Sequence, residues 1–139
     1  MSGSDEAVVR RFYEEMNNGR KNEIAPELFT DDHVFHDPQI QAGKGPEGMV
    51  ETVTVYQTGV DGHWHINDIF SSGDNVVVRW TGSGKHVGEV NGIPPTGKAV
   101  ENISAISIHR MSKGKIAETW EVWDTLGFLQ QIGVIPNQG

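Results

Sequence analysis

The sequence predicts an α+β fold in which helices pack on one face of a curved, four-stranded or larger antiparallel sheet. Two observations carry this prediction. Apolar residues recur at helical spacing before Gly62, and strand-like alternation with tight-turn signals follows it. Helices followed by a run of strands are typical of α+β architecture. The length of 139 residues is typical of one domain, so we expect residues 1–139 to form it.

The first predicted helix runs from Asp5 to about Asn18, where Phe12 and Met16 recur at helical spacing. A shorter helix is expected from Glu23 to Phe29, with an extended segment over 33–38 after it.

A third helix is predicted to begin at Pro46, because Met49, Val53, Tyr56 and Val60 follow at spacings of three and four. Its β-branched residues favour a strand by propensity, but the length and periodicity favour a helix.

The second half of the chain is predicted to form an antiparallel meander. Turns are indicated at Gly73–Asn75 and Lys113–Gly114, and a long Gly- and Pro-rich loop at 82–98. The expected elements are strands at 63–70, 76–81, 99–111 and 115–124, and a last helix at 125–133.

Composition excludes several classes of function. The absence of cysteine excludes disulfides, thiolate catalysis and cysteine-based metal sites. The formal charge of −8, with scattered basic residues, argues against nucleic acids and membranes as partners. His33, His36 and Asp37 lie close in sequence, but nothing completes a ligand set, so we predict no metal. The start of the chain resembles no signal or transit peptide, which favours a cytoplasmic protein.

Asp124 is the first candidate for chemistry. Alternation places it on the same face of the last strand as Trp120 and Val122. Such surroundings would desolvate a carboxylate and suit it to acid–base work. Alternatively, Asp124 caps the helix that starts at Thr125, and spacing alone favours this cap.

Aromatic and polar side chains indicate a pocket for a planar, apolar ligand. Ser107 and His109 share one face of the third strand, where they are either polar groups of that pocket or part of the exposed side of the sheet. The candidate walls are Phe12, Met16, Tyr56, Trp64 and Trp120.

Several motifs resemble the SnoaL-like polyketide cyclases. They are the run 86–98, Gly114-Lys115-Ile116, Trp120 with Asp124, and Gln131-Ile132-Gly133. His36-Asp37-Pro38 is similar to a motif of the ester-cyclase-like members, which makes His36 a candidate polar partner in catalysis.

The resemblance implies a nuclear-transport-factor-2-like (cystatin-like) fold, a cone of sheet and helices around an apolar pocket. It also implies intramolecular aldol ring closure, or a related lyase or isomerase proton transfer, without a cofactor. The family's acid–base aspartate falls on Asp124. A pocket histidine of the anthracycline cyclases aligns with Ser107, so the polar array differs here.

The expected function is therefore cyclisation of a carbonyl or ester substrate, with Asp124 removing a proton α to the carbonyl. The alternative is a non-catalytic protein that binds an aromatic or terpenoid molecule. One face of the predicted sheet lacks helices, so we also expect a homodimer.

Overall fold

A computed structural model describes residues 2–136 of the chain. Its centre is a five-stranded sheet with the order β1-β5-β4-β3-β2. The strands are β1 (Phe29–His36), β2 (His63–Ser72), β3 (Asn75–Lys85), β4 (Ala99–Ser112) and β5 (Lys115–Trp123). The helices are α1 (Ser2–Arg11), α2 (Ala25–Leu28), α3 (Gly45–Gly59) and α4 (Thr125–Gln131).

The predicted α+β fold is confirmed, and the sheet has one strand more than the meander. The extended segment after the short helix is longer than expected and forms β1, which pairs with β5 in parallel. Phe29, placed at the end of a helix by the sequence, is the first residue of this strand. The parallel pairing sets His36 opposite Trp120, so residues just beyond β1 lie beside Glu121.

The first helix changes its hydrogen-bonding pattern where it meets the sheet. Beyond Arg11 it continues as a π-helix over Phe12–Asn18. This wider turn buries Phe12, Tyr13, Met16 and Asn17 together. Such π-helical turns are rare and often mark functional sites.

Helix α3 forms where periodicity predicted it, despite its β-branched residues. It starts with Pro46 in its first turn. Met49 and Val53 are buried in the core. The free energy gained by burying this apolar face outweighs the strand propensity of the β-branched residues.

Strand β2 contains an irregularity that changes which side chains face the core. The pairing with β3 shifts between Ile66 and Asp68. Trp64 is buried before the shift, whereas Phe70 is 54% exposed after it. A bulge of this kind reverses the inward parity of the residues that follow.

The sheet has an inner face under the helices and an outer face that the described residues leave open. On β4 the residues Ile103, Ala105, Ser107 and His109 share one face, and this face is the inner one. None of the helices in residues 2–136 is long and apolar enough to cross a membrane.

Candidate active site

A pocket with an open mouth lies between the helices and the inner face of the sheet. Most of its wall is apolar, and Glu121 is the carboxylate among its lining residues. The wall includes Phe12, Tyr13, Phe35, Met49, Val53, Tyr56, Trp64, Trp80, Ile103, Trp123 and Phe128.

Glu121 projects from β5 towards this pocket. The hydroxyl of Ser107 donates to Glu121 Oε1 over 3.0 Å, and Trp80 Nε1 donates to the same hydroxyl over 3.0 Å. Burial, the neighbouring Asp37 carboxyl and its contact with Glu121 raise the pKa of Glu121 to about 8. A carboxyl with such a pKa can exchange a proton near neutral pH.

Asp37 approaches Glu121 from the segment that follows β1. Its Oδ1 accepts from Gln39 N over 2.8 Å, which fixes the side chain. Its Oδ2 is buried and has no donor among the described residues. Two carboxyls facing each other disfavour double ionisation, so this pair holds a proton more readily than one carboxyl.

A line of buried polar side chains runs from the pocket to the far side of the core. Tyr13 Oη lies 2.8 Å from His109 Nε2, and His109 Nδ1 lies 2.9 Å from Thr119 Oγ1. Thr119 Oγ1 also lies 3.0 Å from His33 Nε2. Burial lowers the pKa of His33 to about 4 and that of His109 to about 3, so both rings are neutral at pH 7.

The structure brings five of the sequence-predicted residues to this region. Phe12, Tyr56 and Trp64 line the pocket. Ser107 contacts Glu121, and His109 contacts Tyr13, so both belong to the polar array.

The remaining predicted residues lie elsewhere. Met16 is fully buried in the core and is not part of the pocket wall. Trp120 is 40% exposed on the outer face. His36 lies beside it, stacked on its ring at 5.4 Å and hydrogen-bonded to Glu118 over 2.7 Å.

Asp124 is exposed and caps α4, where its Oδ1 accepts from Gly127 N over 2.9 Å. The prediction that Trp120 and Val122 desolvate the Asp124 carboxylate is wrong, because both side chains point outwards and Val122 is 58% exposed. The catalytic role predicted for Asp124 remains a prediction. Its position matches the capping alternative.

The sequence analysis missed Glu121, Asp37 as its partner, and Tyr13. The inward face of β5 carries the residues that alternate with Trp120, Val122 and Asp124. They are Thr119, Glu121 and Trp123. One signal was present: alternation defines two faces of the strand, and only Glu121 brings a carboxylate to the second.

Metal ligation has no candidate in the described part of the chain. No three His, Asp or Glu side chains within residues 2–136 lie close enough to hold an ion.

Comparison with known proteins identifies relatives along nearly the whole chain. The family model described as SnoaL-like polyketide cyclase matches residues 7–132. The aklanonic acid methyl ester cyclase DnrD of Streptomyces peucetius is 28% identical over 132 residues, or 91% of this chain and 88% of that protein. The cyclase of the same description from Streptomyces sp. strain C5, DauD, is also 28% identical, over 91% of this chain and 80% of its own.

Solved structures have the same architecture. TsrD of Streptomyces laurentii superposes with a TM-score of 0.84 at 25% identity, covering 96% of this chain and 97% of its own. IdmH of Streptomyces antibioticus, assigned provisionally as a polyketide cyclase, gives a TM-score of 0.78 at 29% identity over 93% and 98% of the two chains.

Proposed function

Because this chain belongs to the SnoaL-like polyketide cyclase family, we propose that it closes a ring in a carbonyl or ester substrate with Glu121 as the acid–base group. The observation that carries the proposal is the Glu121 carboxyl at the wall of an apolar pocket, with a pKa raised to about 8. Two relatives named as aklanonic acid methyl ester cyclases support this class of reaction.

The pocket favours a flat, largely apolar substrate. Tyr56 and Trp123 meet edge to face at 5.7 Å, and Trp123 meets Phe128 in the same way. Rigid rings of this kind offer large apolar surfaces to a planar ligand at low entropic cost. Trp123 lines the pocket, and its Nε1 is buried with no acceptor in the described residues, so it is available to donate to a substrate oxygen.

In the first chemical step, the Glu121 carboxylate removes a proton from the carbon between two carbonyl groups of the substrate. The C–H electron pair moves into the carbonyl group and forms an enolate. Conjugation delocalises the enolate charge, so the protein mainly holds the chain folded and excludes water.

In the second step, the enolate carbon attacks a second carbonyl carbon of the same molecule. One C–C bond forms, and the electron pair of that carbonyl moves to its oxygen. The protonated Glu121 returns its proton to this alkoxide, so the enzyme ends in its starting state. Asp37 keeps the shared proton within the pair between the two steps.

The alternative function, binding of an aromatic or terpenoid molecule without catalysis, uses the same pocket. The Glu121 carboxyl favours the enzyme, because a pure binding site for apolar ligands gains nothing from a carboxyl in its wall.

Turnover of aklanonic acid methyl ester, followed by chromatography of the cyclised product, tests the proposal. We expect Glu121→Gln to reduce turnover by roughly 10²–10⁴-fold, the usual contribution of a positioned acid–base group. Asp124→Asn is the matched control, since it removes the other candidate carboxylate and keeps the cap. We expect it to retain wild-type turnover.

Loss of turnover in Asp124→Asn with retention in Glu121→Gln would transfer the role to Asp124. Tight binding of the ester by a wild-type chain that never cyclises it would support the binding protein instead.

A further inference from the structure

Two tryptophans face the pocket from one row of side chains across the sheet, and they use their indole N–H groups differently. The strand register pairs Trp80 of β3 with Ala105 of β4, and Ala105 with Trp123 of β5. Both tryptophans line the pocket. Trp80 Nε1 donates to the Ser107 hydroxyl over 3.0 Å. Trp123 Nε1 is buried and has no acceptor among the described residues.

The surroundings of Trp123 give its N–H group nothing to bind. Its ring meets Tyr56 and Phe128 edge to face, each at 5.7 Å, so aromatic neighbours flank it. Its neighbour in the row is Ala105, whose methyl group accepts no hydrogen bond. Buried donors without acceptors are costly, and native structures retain few of them. At the wall of an open pocket, such a donor is typical of a group that orients a bound molecule.

The chemistry of the indole N–H defines what it can bind. It is an uncharged donor that never accepts a hydrogen bond, so its partner on a ligand must be an acceptor. In an apolar pocket an uncharged carbonyl oxygen is less costly to desolvate than a charged acceptor. A ketone or ester oxygen is therefore the group that fits Trp123 best.

The position of Trp123 relative to Glu121 fits the same substrate atom. Glu121 lies two residues earlier on the inner face of β5, and the Cα atoms of such a pair are about 6.8 Å apart. A base at a C–H group and a donor at the neighbouring carbonyl oxygen each need a contact of about 3 Å. One C–C=O unit of a substrate can therefore engage both side chains at once.

We propose that Trp123 donates a hydrogen bond to the carbonyl oxygen next to the carbon that Glu121 deprotonates. Trp123 thereby selects substrates that carry a ketone or ester oxygen at this position. When the C–H electron pair moves into the carbonyl group, charge develops on that oxygen, and a fixed donor then stabilises it more strongly. This inference rests on the proposed function and adds the residue that recognises the oxygen.

Binding of aklanonic acid methyl ester to the Glu121→Gln chain tests the proposal in the absence of turnover. The ¹⁵N resonance of each indole Nε1 reports whether that group donates a hydrogen bond. We expect the Trp123 resonance to move downfield when the ester is added, and hydrogen exchange at this group to slow. The resonance of Trp120, which lies on the outer face, should stay in place.

Trp123→Phe keeps an aromatic ring and removes the N–H group. We expect it to weaken binding of the ester roughly tenfold, since one buried hydrogen bond is lost. In the chain that retains Glu121, it should reduce turnover by roughly 10²–10³-fold, the usual cost of removing a donor to a developing oxyanion. Trp120→Phe makes the same change outside the pocket, and it should leave both quantities unchanged.

The spectra do not require the Trp123→Phe variant, so they decide the question even if that variant fails to fold. A Trp123 resonance that stays in place while the ester binds would overturn the proposal, as would a chain that does not bind the ester. Wild-type binding and turnover in Trp123→Phe would overturn it as well, and would leave the role of Glu121 intact. If the ester binds with the expected shift but the wild-type chain never cyclises it, only the proposed function fails.

Discussion

At the scale of single residues, two carboxylates near the end of β5 have different environments. Glu121 contacts a buried serine at the wall of an apolar pocket, whereas Asp124 holds the first turn of α4 from an exposed position. Three positions along the chain separate them, and they lie on opposite faces. Alternation alone shows which residues share a face of a strand. It does not show which face is covered. Large apolar residues are usually buried, so Trp120 and Val122 led to the prediction that Asp124 is desolvated, but both side chains are exposed.

The capping role of Asp124 predicts a specific pattern of stability. Asp124→Ala should lower the free energy of unfolding by about 1 kcal/mol, because it leaves the Gly127 amide without its acceptor. Asp124→Asn should change it by only a few tenths of a kcal/mol, since asparagine caps almost equally well. Urea denaturation of both variants measures this, and equal losses in both would contradict the cap.

The two buried histidines predict sensitivity to acid. Their pKa values fall from 6.5 to about 4 for His33 and about 3 for His109, so the unfolded chain binds more protons below pH 6.5. Stability should therefore fall as the pH drops from 6.5 towards 4, by up to about 1.4 kcal/mol per pH unit for each histidine. Urea denaturation across this range measures the slope. His33→Gln should reduce the slope of the free energy of unfolding against pH. His65→Gln is the control, because His65 is exposed, and it should leave the slope unchanged. An unchanged slope in His33→Gln would contradict this prediction.

At the scale of elements, periodicity predicted α3, β4 and α4 closely, because each has a regular pattern and clear turn signals. Strand β3 was predicted to end at Thr81 and continues to Lys85, so the first residues of the predicted loop 82–98 are strand. Irregular or distant features were not predictable in the same way. The bulge between Ile66 and Asp68 depends on the pairing of two strands, and the parallel pairing of β1 with β5 joins residues that are far apart in sequence. The contact between Asp37 and Glu121 follows from the pairing of β1 with β5, so the sequence did not predict it either.

Helix α3 offers a test of element packing at Gly48. A Cβ there would lie 1.9 Å from the backbone oxygen of Gly43. The clash should outweigh the helix propensity that alanine gains over glycine, about 1 kcal/mol. Gly48→Ala should therefore lower the thermal midpoint. Gly3→Ala is the matched control in α1, where a Cβ meets nothing within 4 Å, and it should leave the midpoint equal or higher. A stabilised Gly48→Ala variant would show that α3 does not pack against the preceding segment as described.

At the scale of the whole molecule, residues 2–136 leave the outer face of the sheet uncovered. Large apolar side chains from three strands, β2, β4 and β5, are exposed on this face, and exposed apolar patches usually mark an interface. Its rim carries both signs of charge, with Arg79 paired to Asp68 and Arg110 paired to Glu118. A two-fold arrangement can match such a rim with itself, so we propose that a second copy of the chain covers it. The patch consists of Phe70, Ile106, Ile108, Trp120 and Val122.

Sedimentation should therefore show a homodimer at micromolar concentration. Val122→Glu places a charge within the patch and should shift the protein to monomer, because an unpaired charge is costly to bury. Val87→Glu is the control, since Val87 is 52% exposed on the loop beside α3 and lies off the sheet. A wild-type monomer would contradict the proposed dimer.

In the proposed reaction the Glu121 carboxyl carries the proton in ring closure. The pH dependence of turnover, measured between about pH 6 and pH 9, tests it most directly. As the base, Glu121 must be ionised, so the wild-type rate should rise with pH through a midpoint near its pKa of about 8. In Glu121→Gln the residual rate should lose this rise. A wild-type profile without a limb in this range, or the same limb persisting in Glu121→Gln, would contradict the claim.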